Sequence, residues 1–394
     1  MHLKKEPKPV DEAKSKSIKA TDTQPNENVA APAKKRVKKN PAFEFMGNSI
    51  AAGERKVMEI ETAKLYTNSP LSIPVEIIHG KYAGPTLLLD AAIHGDELNG
   101  VEIVRQIIEK TDASKLKGTL IAAPIVNVFG FIHKSRYLPD RRDLNRCFPG
   151  SEKGALASRI AHTFFTKVAQ QADYIVDLHT GAIHRTNLPQ IRACLDNAET
   201  IRIAKAFGTP VIIDAALRDG SLRAEAEKHG IPVLTYEAGE ALRFEPIAIS
   251  AGVLGITRVM QELGMLRPAR KKVPESVIAK SSSWVRADSN GILRTMVTLG
   301  DRVSKGQVLA YISSPLGHVE ITMKAPKEGI VIGQQTLPLV NEGDAVFHIA
   351  YFTEDNDSVG DKVETYIGDV IENVELRDES ITTGFIAVPH QVKP

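Results

Sequence analysis

Between residues 42 and 268, short apolar runs alternate with amphipathic stretches, and this alternation restricts the possible folds more than any other property of the chain. The runs at 73–78, 86–92, 119–125, 174–178, 210–213 and 232–236 are strand-length and predict strands. The stretches at 98–109, 155–170, 197–207, 221–229 and 249–263 predict helices. Strands interleaved with helices imply an α/β protein with a largely parallel sheet covered on both faces. In such sheets, ligands bind beyond the carboxyl ends of the strands. His94, Glu97, His179 and Glu237 all fall at those predicted ends.

The apolar run at 86–93 ends in His94-Gly95-Asp96-Glu97, directly before a predicted helix, and the run at 174–178 ends in His179. Two imidazoles and one carboxylate from two strand ends make a three-ligand set with an open position, the arrangement by which zinc activates water. One histidine at a strand end is more often a hydrogen-bonded structural residue. Two such histidines, with a glutamate three positions from one of them, are harder to explain that way. Asp177 lies two residues before His179 and therefore on the same strand face, where it can orient the ring or accept its second proton. Residues 136–150 form a Pro, Asn and Gly-containing loop, in which Asn145 and Arg146 together suit a carboxylate.

A length of 394 residues favours two domains. With 42% hydrophobic residues and a formal charge of +2, the overall balance gives no sign of a nucleic-acid partner. Two cysteines, Cys147 and Cys194, make a disulfide framework improbable. No apolar targeting segment follows Lys4 and Lys5, and no apolar run approaches the roughly 20 residues of a membrane span. These features place the expected protein in the cytoplasm.

Residues 1–41 read as a disordered basic tail and 42–270 as the catalytic unit. A second unit at 284–352 has two similar halves of short strands and Gly-Asp turns, and resembles the barrel-sandwich fold of biotinyl and lipoyl carrier domains. Its hairpin from Ser313 to His318 has no lysine to carry a covalent group. The extension at 353–394 is acidic, with ten Asp or Glu against three Lys or Arg, and a strand pair and a loose tail both fit it.

In this order, His94-x-x-Glu97, Arg142-Asp143-Leu144-Asn145-Arg146-x-Phe148-Pro149-Gly150, Asp177-Leu178-His179-Thr180-Gly181 and Tyr236-Glu237-Ala238-Gly239 resemble the succinylglutamate desuccinylase/aspartoacylase family, deacylases related to zinc carboxypeptidases. The resemblance covers roughly residues 45–352. It implies a zinc-carboxypeptidase-like α/β domain, with a mixed, mostly parallel sheet flanked by helices, beside the smaller all-β barrel-sandwich unit. One Zn2+ per chain would be held by His94, Glu97 and His179. Glu237 would be the general base, with Glu240 a second candidate, while Asn145 and Arg146 would hold a substrate carboxylate. Arg136 is the choice for polarising the scissile carbonyl and Arg142 its competitor.

The favoured activity is zinc-dependent hydrolysis of an N-acylated amino acid or similar small amide. A metallocarboxypeptidase-like enzyme trimming C-terminal, acidic residues from a peptide would use the same clamp. A non-catalytic zinc-binding interaction protein is the third reading. Small-molecule or peptide substrates are the expected partners, membranes are not, and a homo-oligomer is compatible with the sequence. Cys147 reads as a small buried thiol, and His133, His184 and His229 as structural or supporting residues. Arg192, Arg218, Arg223 and Arg243 are candidate selectors of an acidic substrate. No Gly-x-Ser-x-Gly elbow occurs, which disfavours a serine hydrolase.

Overall fold

The structure, a computed structural model, describes residues 38–268, 273–317, 320–353 and 356–384. Residues 1–37 of the expected basic tail, His318 of the expected lysine-free hairpin and residues 385–394 of the acidic extension lie outside the described residues.

A small hairpin, β1 (Phe43–Phe45) and β2 (Asn48–Ile50), precedes β3 (Arg55–Lys64), β4 (Pro70–His79) and β5 (Tyr82–Ala91). There follow α1 (Asn99–Lys110), β6 (Lys117–Ala123), α2 (Val128–His133), α3 (Leu156–Lys167), β7 (Tyr174–Gly181), β8 (Arg185–Ala193) and α4 (Ala198–Phe207). Next come β9 (Val211–Asp214), α5 (Leu222–Lys228), β10 (Val233–Glu240) and α6 (Pro246–Glu262). The remainder is β11 (Val277–Ala279), β12 (Ser281–Arg286), β13 (Gly291–Thr295), β14 (Arg302–Val303), β15 (Val308–Ser313), β16 (Glu320–Lys324), β17 (Gly329–Gln335), β18 (Leu339–Val340), β19 (Ala345–Tyr351) and α7 (Asn356–Gly384).

Thirteen strands of the described residues join one mixed sheet, whose main path runs β12, β19, β17, β8, β10, β7, β5, β6, β4, β3. Its centre, β6, β5, β7 and β10, is parallel, as the strand and helix alternation predicts. The flanks correct the expectation of a largely parallel sheet. Strand β8 returns antiparallel on β10, β4 runs antiparallel to β6, and β3 to β4. Short connections such as that between β7 and β8 allow only an antiparallel return, because a parallel one needs a crossover of a dozen residues or more.

The centre is buried on both faces because each strand sends alternate side chains to opposite layers. Leu87 and Leu89 of β5 pack with Ile103 and Val104 of α1, Phe207 of α4 and Ile256 of α6. Leu88 points the other way and packs with Ile160 and Phe164 of α3 and Leu222 of α5. The four-stranded sheet of β16, β15, β13 and β18 shares a core with the far end of the main sheet, through Leu293, Leu309 and Ile312 on one side and Val331, Val346 and Phe347 on the other.

Neither a strand pair nor a loose tail follows that unit: α7 is a helix that buries Val359, Val363, Tyr366 and Val370. Those positions recur at helical spacing and form one stripe. Tyr366 and Val370 enter the core around α6, while Val359 and Val363 pack on Ile330, Ile332 and Val211.

Candidate active site

Strand β5 ends at Ala91, and Ala92 then takes a left-handed φ of +51°, turning the chain sharply into His94. Gly95 is confined by α2: a Cβ there would stand 1.9 Å from the Gly130 carbonyl carbon, so only glycine fits. The turn is closed by Glu97 N–H donating to His94 O at 3.1 Å. It brings the Glu97 side chain back toward its own histidine, and β7 delivers His179 alongside, with the Glu97 carboxylate accepting from Thr180 N at 3.2 Å.

His94, Glu97 and His179 are all buried and can offer ligand atoms that lie within 4.8 Å of one another. His94 Nδ1 is 2.8 Å from Glu97 Oε1, His179 Nδ1 is 2.7 Å from Glu97 Oε2, and the two Nδ1 atoms are 3.2 Å apart. Each ring turns its other nitrogen to a further carboxylate. His94 Nε2 is 3.1 Å from Asp143 Oδ1, and His179 Nε2 lies 2.8 Å from Asp177 Oδ1 without hydrogen-bond alignment. Two imidazoles that meet through Nδ1 and are each backed by a carboxylate fit the donor set and outer shell of a zinc centre.

The electrostatics favour positive charge at this point. Burial opposes protonation of both imidazoles, yet Glu97 with Asp143 raises the pKa of His94, and Asp177 with Glu97 raises that of His179 well above its ordinary value. Conversely, burial opposes ionisation of Glu97 and Asp143, but the histidines and Arg136 hold the carboxyls below the usual range. Behind His179, Asp90 pairs in register with Asp177, is fully buried, and has no hydrogen-bond partner among the described residues. Burial and then the Asp177 carboxylate push its pKa well up.

His94, Glu97 and His179 line a cavity of about 570 Å³, together with Arg136, Asn145, Arg146, Asp177 and Glu237. Arg136 Nη1 donates to Glu97 and its Nη2 to Asp143, both at 3.1 Å. Arg142 is exposed and is not among the residues that line this cavity. Asn145 Oδ1 accepts from Leu222 N–H at the start of α5 at 2.9 Å, which leaves its Nδ2 as the donor available to a ligand. The 140–150 loop is fastened there as well by Phe148 N–H donating to Gly220 O at 2.9 Å.

Glu237 sits in register with His179 across β10 and β7. Its Oε2 accepts from Asn187 Nδ2 at 2.7 Å, and its Oε1 is 3.5 Å from Arg192 Nε. Glu240, by contrast, is buried and occupied by His184 N–H at 3.0 Å and Thr336 Oγ1 at 3.2 Å, a link between β10 and the loop after β17. Cys147 Sγ is 3.3 Å from Asp143 O, and burial raises its pKa, as for a thiol that packs. His133, His184 and His229 are not part of the cavity lining, and neither is Arg243.

Sequence reading missed Asp143 as the partner of His94 and Arg136, although it stands inside the motif quoted for the loop. It also missed Asn187, Trp284 and His348, which line the same cavity. Trp284 and His348 stack at 4.7 Å with their planes 8° apart, and Arg185 lies over the tryptophan at 5.3 Å. No local signal marked them, since they arrive through strand pairing between distant segments.

A family profile, that of the succinylglutamate desuccinylase/aspartoacylase catalytic domain, matches residues 83–263. An N-alpha-acetyl-L-2,4-diaminobutyric acid deacetylase from Halomonas elongata is 28% identical over 297 residues, 72% of this chain and 86% of that protein. A succinylglutamate desuccinylase from Pseudomonas aeruginosa is 29% identical over 230 residues, 55% of this chain and 61% of that protein. The product-bound structure of the ectoine utilization protein EutE (DoeB) from Ruegeria pomeroyi superposes with a TM-score of 0.68 at 26% identity, covering 75% of this chain and 94% of that one. Among the described residues, no helix is long and apolar enough to cross a membrane.

Proposed function

The chain belongs to the succinylglutamate desuccinylase/aspartoacylase family, and on that premise we propose that it is a zinc-dependent amidohydrolase acting on an N-acylated amino acid or a similar small carboxylate-bearing amide. One observation carries the reading: His94 Nδ1 and His179 Nδ1 converge on the two Glu97 oxygens, with a carboxylate behind each ring, in the cavity that Glu237 and Arg136 also line. The names of the relatives, a deacetylase and a desuccinylase of amino-acid derivatives, support the same class of reaction.

One zinc ion per chain would be held by His94, Glu97 and His179, and when bound it supplies Lewis acidity toward a carbonyl and acidifies water. Asn145 Nδ2 and Arg146 hold the substrate carboxylate and so fix the amide over the histidines. Glu237 takes a proton from the water that attacks the carbonyl carbon and delivers it to the leaving nitrogen as the C–N bond breaks. Arg136, anchored on Glu97 and Asp143, retains further N–H donors for the oxyanion. The products are a carboxylate and a free amine.

The same reading takes residues 42–270 as a zinc-carboxypeptidase-like domain and 284–352 as a barrel-sandwich domain, the latter supported by the single core shared between its two facing sheets. Cys147 and Cys194 are both free, in keeping with a reducing cytoplasm.

A second reading, removal of a C-terminal residue from a peptide, is favoured by a neighbouring cavity of about 450 Å³ that shares Arg136, Tyr137, Ala182 and Arg185 with the first. Incubating the zinc-loaded protein with acetyl, succinyl and aspartyl amides and with peptides of increasing length, and measuring free amine, separates the two. Turnover confined to substrates no longer than a dipeptide supports the first reading. Turnover of longer peptides supports the second, and no amine from any of them contradicts both.

A further inference from the structure

We propose that Asp90 is a positioning residue: as a carboxylic acid it donates an O–H hydrogen bond to the Asp177 carboxylate and so keeps Asp177 against the ring of His179. The inference rests on the zinc centre proposed above, of which His179 is a ligand.

Asp90 is the penultimate residue of β5 and is wholly removed from solvent. It is not among the residues that line the cavity, so it acts on no substrate directly. Leu88, two residues earlier and therefore on the same strand face, packs in an apolar core with Ile160, Phe164 and Leu222. An ionised carboxylate in such a place needs donors, and neither Asp90 oxygen has a hydrogen-bond partner among the described residues. What the parallel register of β5 and β7 sets opposite it is Asp177, and the two carboxyls lie within hydrogen-bonding reach.

Two ionised carboxylates cannot bond each other, because each only accepts, and buried side by side they repel. One proton between them turns the pair into a donor and an acceptor bearing a single charge. The surroundings decide which residue holds it. Burial and then the Asp177 charge oppose ionisation of Asp90 more than His179 favours it. Asp177, by contrast, stands 2.8 Å from His179 Nε2 and acts on the Arg223 guanidinium as a counter-charge, so it is the ionised member.

This proton has a structural use. No aligned N–H reaches Asp177 Oδ1, so the imidazole alone does not fix the rotation of that carboxylate. An O–H from the neighbouring strand supplies the second hold. A ligating histidine takes its orientation from the carboxylate on its other nitrogen, and Asp90 extends that chain one link into the core. The charges agree as well. With both imidazoles neutral, as ligation requires, Glu97, Asp143 and Asp177 bring three negative charges and Arg136 one positive, which balances one divalent cation. An ionised Asp90 would leave a buried negative charge uncompensated.

The test pairs infrared spectroscopy with zinc titration on the full chain and two variants. Asp90→Asn keeps an N–H donor for Asp177, whereas Asp90→Leu is of similar size and has none. At about pH 7, above the ordinary carboxylate range, the spectrum of the metal-stripped unaltered chain minus that of Asp90→Asn should contain the carbonyl stretch of one protonated carboxyl group. Zinc affinity, read by competition with a chelator, should stay within about threefold in Asp90→Asn and fall about tenfold or more in Asp90→Leu. A difference spectrum without that band overturns the proposal, since Asp90 would have no proton to donate. So does an undiminished affinity in Asp90→Leu, or a tenfold loss in Asp90→Asn. If Asp90→Leu does not fold, the difference spectrum and the affinity of Asp90→Asn decide. If the unaltered chain binds no zinc, the hydrolase reading falls, while Asp90 stands or falls on the difference spectrum.

Discussion

His94 and His179 are held by carboxylates on both sides, and this gives the metal-free site a pH dependence of its own. Both imidazoles have raised pKa values, because Glu97 with Asp143 or Asp177 outweighs the opposing effect of burial. Their contribution to stability is full below the unfolded-state value of about 6.5 and is lost as pH rises through the raised folded values. Glu97 and Asp143 have depressed values, so their contribution is present above the ordinary carboxylate range of about 4 and is lost only as pH falls through the depressed ones. Ligation requires neutral imidazoles, so zinc competes with protons for the same atoms. Thermal unfolding with and without zinc should show a larger zinc-induced rise in Tm at about pH 8.5 than at about pH 6. Equal rises would contradict the assignment of these histidines. Asn187 supports a second prediction at this scale. Its amide fixes Glu237 through the 2.7 Å bond, so Asn187→Leu should lower kcat about tenfold while leaving KM and bound zinc unchanged. A fall in bound zinc matching the fall in kcat would show instead that the site had come apart.

Among the elements, the parallel centre was the most legible from sequence, because β5, β7 and β10 are built on short apolar runs, Leu87 to Leu89, Ile175 to Val176 and Val233 to Leu234, that suit burial on both faces. Strand ends followed directly, and with them His94, Glu97, His179 and Glu237. Strand β8 was invisible: Arg-Thr-Asn-Leu-Pro-Gln-Ile-Arg-Ala carries polar residues that face a cavity, so its composition reflects a site rather than a core. Asn187 was lost with it, and Arg192, a candidate selector from the sequence, had no strand to place it. Helix α7 was legible and overlooked, since Val359, Val363, Tyr366 and Val370 recur at helical spacing beneath an acidic surface. Val363 is fully buried against the sheet, so Val363→Ala should destabilise the chain by about 2 kcal/mol in denaturant unfolding, from lost burial plus a small cavity. A cost near zero would mean that α7 does not dock.

For the whole molecule, the main sheet continues past β8 into the strands of the C-terminal part of the chain. Strand β17 pairs antiparallel with β8, setting Gly333 opposite Asn187, and β19 and β12 continue the sheet to His348 and Trp284. A Cβ on Gly333 would come within 3.0 Å of Asn187 Oδ1, so the second unit presses closely on the residue that holds Glu237. Its aromatic pair forms one wall of the cavity, and the His348 ring is kept neutral, its pKa pushed down to about 3 by burial and then by Arg192. Trp284→Ala should therefore raise KM roughly tenfold and leave kcat near its original value, since it removes a wall and a cation stack without touching the reacting groups. An unchanged KM would confine the second unit to a structural role. Zinc-dependent hydrolysis requires a metal ion where the His94, Glu97 and His179 side chains converge, and anomalous scattering at the zinc edge from crystals grown with zinc tests this directly. The prediction is one peak per chain, at about 2.0–2.2 Å from the Nδ1 atoms of His94 and His179 and from a Glu97 oxygen. No peak between those residues, or zinc held only elsewhere on the chain, would contradict it.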